Sequence, residues 1–152
     1  MRGPRHAHLY ALLALTLLLA GCGSSTPTKS DFIARANAIC AGTLRQTRAI
    51  GPPAPSLAAY LEKVVPLVQS EARQLRALKR PTGTTNDHLT LLRYLSALDR
   101  VVGDYRRLEA AAKRGDTVGV ATIEAALRAS PVATLAASYG LRSCGTPGAT
   151  TT

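Results

Sequence analysis

The chain predicts an all-α fold: an antiparallel up-down bundle of four helices behind a cleaved leader. Three observations predict it. Apolar residues recur at spacings of three and four through four long stretches, the mark of a helix with one buried face. No segment keeps a period-two alternation, and β-branched residues never cluster into a run of strand length. Each stretch is bracketed by residues that start or stop helices.

The first helix spans about Lys29 to Ile50. Thr28 and Asp31 have capping-box spacing, and Phe32, Ala36, Ile39, Cys40, Thr43, Leu44 and Thr47 share one face. Gly51-Pro52-Pro53-Ala54-Pro55 stops it, because proline lacks the amide proton a helix needs. The second runs from about Leu57 to Lys79 with Ser56 as N-cap and a stripe of Leu57, Leu61, Val64, Val68, Ala72, Leu75 and Leu78. Pro66 lies inside it and predicts a kink near Glu62. The third runs from about Asn86 to Arg114, with Thr84 and Asp87 repeating the capping-box spacing. Leu91, Leu95, Leu98, Val102 and Tyr105 form its stripe, Leu92 and Leu108 its flank, and Gly115 its stop. The fourth starts after Asp116, with Val120, Ile123, Leu127, Leu135 and Tyr139 on its inner face. Pro131 either kinks it or splits it, and Tyr139-Gly140-Leu141 reads as a Schellman ending.

The 152 residues are enough for one domain. With 46% apolar and 18% charged residues, wholesale disorder is excluded. Aromatics are 4% and tryptophan is absent, which excludes a nucleic-acid surface built on stacking. Beyond the first 21 residues no apolar run approaches the ~18 that would span a bilayer.

The N-terminus is a targeting segment. Arg2 and Arg5 give a basic start, Leu9 to Ala20 an apolar core too short to span, and Leu19-Ala20-Gly21-Cys22 follows. This resembles the lipobox of bacterial lipoproteins. The resemblance implies cleavage before Cys22, thioether lipidation of that residue by diacylglycerol, and acylation of the new amino group. Residues 1–21 are then the signal peptide, 22–28 the lipidated cysteine and its flexible tether, 29–144 the helical domain and 145–152 a disordered tail. The anchor implies the extracytoplasmic face of the cell membrane.

Phe32-x-x-x-Ala36-x-x-Ile39-Cys40, the proline inside the second helix, Leu75-x-x-Leu78 with Pro81, and Tyr139-Gly140-Leu141-x-x-Cys144 resemble small secreted helical lipoproteins of high-GC actinobacteria. The excess of arginine, 15 against 4 lysines, agrees with a GC-rich genome. The resemblance implies a helical fold and a paired cysteine, and no activity. With Cys22 carrying lipid, Cys40 and Cys144 are the one intramolecular pair left, and export places them in an oxidising compartment. The geometry has one demand. Cys40 lies ~18 Å along the first helix from Thr28, so either the tail after Gly140 folds back along that helix or the helix overhangs the bundle.

No catalytic, cofactor or metal motif emerges, and the chain reads as non-enzymatic with no cofactor. After cleavage His88 is the only histidine, in the first turn of the third helix, and zinc needs three or four ligands. Asp99 and Asp104 are five apart and share no helix face. Tyr60, Tyr94, Tyr105 and Tyr139 read as core or rim residues with their hydroxyls in water.

The unusual pattern is basic: net charge is +10, and Arg93, Arg100, Arg107 and Arg114 recur every seven residues, a slowly winding stripe on one helix. Arg73, Arg76, Lys79 and Arg80 add to it from the second helix. Outside the membrane such a stripe meets anionic lipid or acidic wall polymer. The bland alternative is a solvated face with local pairs, Arg100 with Asp104 and Glu109 with Lys113. The functional expectation is a membrane-anchored binding or interaction module of the cell envelope, directed at anionic components. The alternative is a carrier holding a small apolar ligand in a pocket between helices.

Overall fold

A computed structural model describes residues 26–53 and 56–145. The described residues are all-helical, in five helices: α1 (Lys29–Ile50), α2 (Leu57–Ala77), α3 (Thr85–Lys113), α4 (Thr117–Arg128) and α5 (Val132–Tyr139). The first three follow the sequence pattern to within two residues. Pro131 resolves the open alternative: it splits the expected fourth helix into α4 and α5. Proline disfavours helical backbone in the residue before it and has no amide proton to give.

The caps form as their side chains dictate. Thr28 and Asp31 close a capping box on α1, and Thr84 and Asp87 close another on α3. Ser56 and Asp116 accept from the amides of Ala59 and Gly119. Pro66 is exposed, and α2 is continuous across it.

α2 packs on α1 and on α3, while α4 and α5 both pack on α3. Two apolar clusters result. The larger includes Ala36, Ala97 and Ala136 of α1, α3 and α5, all fully buried. Phe32 and Tyr139 meet edge-to-face within it at 5.9 Å. The smaller joins Leu61, Val65 and Leu108 beneath partly buried Val120, Ile123 and Leu127 of α4. No residue of α4 is fully buried, so that helix lies over the edge of the core. Leu92, expected on a buried flank, is 55% exposed. Tyr94, expected with its hydroxyl in water, is wholly buried.

The Cys40–Cys144 pair forms, with sulfurs 2.10 Å and Cα atoms 5.0 Å apart. Of the two geometries open to it, the tail takes the one that folds back. Gly140 has φ 98°, and the Leu141 amide donates 2.8 Å to Ala136 O, turning the chain off α5. The Ser143 amide then donates 2.9 Å to Asn37 Oδ1 on α1. A Cβ on Gly140 would lie 3.1 Å from Ile33 Cδ1 as well as strain the backbone.

Breaking this bridge should cost about 4–5 kcal/mol, since it closes a loop with a sequence separation of 104 residues. Reduction, or Cys40→Ala with Cys144→Ala, should lower the melting temperature by ~10 °C or more. Two free thiols in the purified protein, or an unchanged melting curve, would exclude a structural role.

Candidate functional site

Two sets of side chains stand out: the arginines on the outer faces of α2 and α3, and a polar group enclosed among α1, α2 and α3.

All four arginines of the heptad stripe are exposed. Their surroundings differ. Arg107 pairs with the nearly buried Asp104, and Arg114 lies 3.9 Å from Asp116. Arg100 donates 3.1 Å to Ser96 Oγ, so the expected Arg100–Asp104 pair is replaced by Arg107–Asp104. Lys113 makes the expected pair with Glu109 at 2.7 Å and adds Glu62 of α2 at 3.1 Å. Arg93 has no ion pair among the described residues. Arg93 and Arg100 border a surface cleft of about 460 Å³ with Leu92, Ser96 and Leu135. The lower half of the stripe therefore carries uncompensated charge beside apolar surface, and the upper half is neutralised locally.

A second arginine cluster comes from pairing α2 with α3. Arg73, Arg76 and Arg106 rim a cleft of about 310 Å³ floored by Ala72, Val102 and Gly103. Asp99 answers one of them, accepting 2.9 Å from Arg76 Nε. The sequence placed Arg73 and Arg76 on the second helix, but only the packing shows that Arg106 joins them. These forks suit phosphate or carboxylate oxygens.

The enclosed polar group was not foreseen. Glu71 is 1% exposed, with Thr43 and Thr47 of α1 and Tyr94 of α3 also buried. Glu71 Oε1, Thr47 Oγ1 and the Tyr94 hydroxyl find no hydrogen-bond partner among the described residues. Burial raises the Glu71 carboxyl to about 7, and the Thr43 hydroxyl against it pulls the other way. Burial likewise raises Tyr94, with a further push from Glu71, and takes Tyr105 to about 12. A signal was present: Glu71 is three residues past Val68 and four before Leu75, on the apolar stripe itself. Beside Thr43, a cleft of about 350 Å³ opens between α1 and α2, lined by Gly42, Gln46, Ser70 and Gln74.

The remaining expected sites are easily placed. His88 is exposed on the first turn of α3. Among the described residues no group of three histidines, cysteines or acids could hold a metal ion. None of the described helices is long and apolar enough to cross a membrane. Cys22 and the tether as far as Ser25 lie outside the described residues, as does the tail beyond Gly145. No protein-family model, curated protein or solved structure matches the chain.

The Glu71 carboxyl should make stability fall with rising pH. A folded-state value near 7 against an ordinary 4.5 means the folded chain holds the proton more tightly. Its contribution is full below about pH 4.5 and is lost as pH rises through about 7, on the order of 3 kcal/mol in all. Glu71→Gln should match the native protein near pH 4 and exceed it in stability at pH 8. Parallel denaturation profiles for the two proteins across that range would refute the assignment.

Proposed function

We propose that the chain is a lipid-anchored, non-enzymatic module of the cell envelope, similar to small helical lipoproteins of actinobacteria. It is held at the extracytoplasmic face of the membrane by diacylglycerol on Cys22. Its arginine face on α2 and α3 binds anionic envelope components, either lipid headgroups or wall polymer. In this reading the helices form an antiparallel up-down bundle, with α4 and α5 together as its fourth member. Supporting that topology, α2 bridges to α3 through Arg76 and Asp99 and again, farther along, through Glu62 and Lys113.

The observation that carries the reading is the Cys40–Cys144 bridge. A buried disulfide belongs to a chain that folds outside the reducing cytosol. It also uses both cysteines beyond the leader, so the one thiol left is Cys22, the residue a lipobox must keep free. The non-enzymatic part rests on the absence of any nucleophile or phosphate-binding motif in the sequence and on a single histidine beyond the leader. The supporting charge pattern is the pair of clefts rimmed by Arg93 and Arg100 and by Arg73, Arg76 and Arg106.

Expression of the full chain in a bacterial host tests the anchor. The native protein should fractionate with membranes and carry diacylglycerol mass on an N-terminal Cys22 peptide, whereas Cys22→Ser should be unlipidated and retain its leader. Identical fractionation of the two proteins, with no lipid mass on either, would overturn the anchored reading.

A further inference from the structure

The entry of the chain into the domain fixes which end faces an anchor. Pro27 O accepts 3.0 Å from the Thr82 amide, and Lys29 Nζ lies 2.5 Å from Asp87 Oδ1. The start of α1, the end of α2 and the start of α3 therefore share one end of the molecule. Only four residue steps separate Cys22 from Thr26, a reach of at most ~14 Å. A lipid on Cys22 keeps this end close to the bilayer.

That end is where α3 turns leucines to solvent. Leu89 is 46% exposed and Leu92 is 55% exposed. Spaced three apart, they share one face of the helix. The same ridge continues with Arg93, Ser96 and Arg100, along the cleft that Leu135 completes from α5. Arg93 is the next residue after Leu92, and Arg100 is ~12 Å farther along the axis. The leucines lie nearer that end and the guanidiniums follow along the same ridge, Arg93 about one turn and Arg100 about three turns past Leu89, in the order of acyl chain and phosphate in a bilayer. Arg107 and Arg114 lie ~23 and ~33 Å beyond Leu92, and each already faces a carboxylate, Asp104 and Asp116.

We propose that the N-terminal half of the α3 ridge docks on the membrane that holds the anchor. Leu89 and Leu92 enter the edge of the acyl layer, and Arg93 and Arg100 bind phosphates of anionic lipid headgroups. The proposal rests on the anchored reading and narrows it: the four arginines of the stripe divide into two that meet lipid and two that stay in water. Wall polymer is the competing source of negative charge, but a polymer surface gives no reason for the leucines to lie beside the arginines.

The test uses the mature protein purified from host membranes and reconstituted into vesicles. With Cys22 acylated and Cys40 bonded to Cys144, no thiol is free, so Leu89→Cys, Leu92→Cys and Val118→Cys each accept one nitroxide. Val118, 76% exposed, follows the far end of α3 and serves as the water-facing control. On anionic phosphatidylglycerol vesicles the labels at 89 and 92 should be several-fold more accessible to oxygen than to a water-soluble nickel complex, and the label at 118 the reverse. Arg93→Gln and Arg100→Gln should each lower the docked-to-undocked ratio about fivefold. Arg107→Gln and Arg114→Gln should leave it unchanged, and phosphatidylcholine vesicles should abolish the contrast. Labels at 89 and 92 as wet as that at 118, equal loss from all four arginines, or equal docking on neutral lipid would each overturn the proposal. The mass of the Cys22 peptide reads the anchor separately. If it carries no lipid, the same labels in a Cys22→Ser background, with protein added to vesicles, still decide whether the ridge docks.

Discussion

The rest of the structure hangs on the return of the tail along α1. α5 has only 8 residues, too few to hold a position by its own backbone, yet it supplies Val132, Ala136 and Tyr139 to the main core. Gly140 makes the reversal possible, Asn37 receives the segment that follows, and Cys144 closes on Cys40 one turn past Ala36. The alanines are part of the same constraint. Ala36, Ala97 and Ala136 are wholly buried, and larger side chains there would have to displace the packing around them. Buried packing and covalent closure therefore act in the same region, and the T-shaped contact of Phe32 with Tyr139 joins α1 to α5 there.

A second constraint runs through the middle of α2. On one side Ala72 and Leu75 belong to the main cluster; on the other Leu61 and Val65 belong to the smaller one. Glu71 lies where the helix passes between them. A carboxyl in that position is held neutral over most of the acidic range, and its own Oε1, Thr47 Oγ1 and the Tyr94 hydroxyl lack partners among the described residues. Such atoms each cost about 1–3 kcal/mol when left unpaired, so this is the least settled part of an otherwise apolar interior. A group that stability alone would replace with leucine marks either a hydrated interior site or a retained constraint on how α1 seats on α2.

Much of this was legible before any coordinates. Helix starts are local chemistry, so Thr28, Ser56, Thr84 and Asp116 could be read directly, and each caps its helix. The cysteine pairing followed from elimination and was sharpened by geometry, because the glycine after Tyr139 announced the turn. Other features depend on neighbours that periodicity does not name. Leu92 looked like a flank of the buried face, but α5 is short and leaves that side of α3 open. Tyr94 looked amphipathic, but packing enclosed its hydroxyl. Arg107 could have chosen Asp104 or solvent; the near-burial of Asp104 decided it. The arginine cleft between α2 and α3 needed the register of two helices that are far apart in sequence at Arg73 and Arg106.

These contacts also give the domain a polarity. At the end where the chain enters, Lys29 sits between the Asp87 carboxylate and the Tyr139 ring, 4.9 Å from its centroid, so one cation ties α1 to both α3 and α5. Asp87 meanwhile closes the α3 capping box, and its carboxyl is held down to about 2, led by its bond to Lys29. Backbone, ion pair and aromatic contact coincide there, and the disulfide lies a few turns above. At the far end α4 has no fully buried residue and rests on α3 through partly buried Val120, Ile123 and Leu127. Few buried contacts mean a low free energy of local opening. The domain thus has its stiffest end where the chain enters and its most easily opened helix at the opposite end. The segment with most freedom to adapt to a partner is therefore the one farthest from where the chain enters the domain.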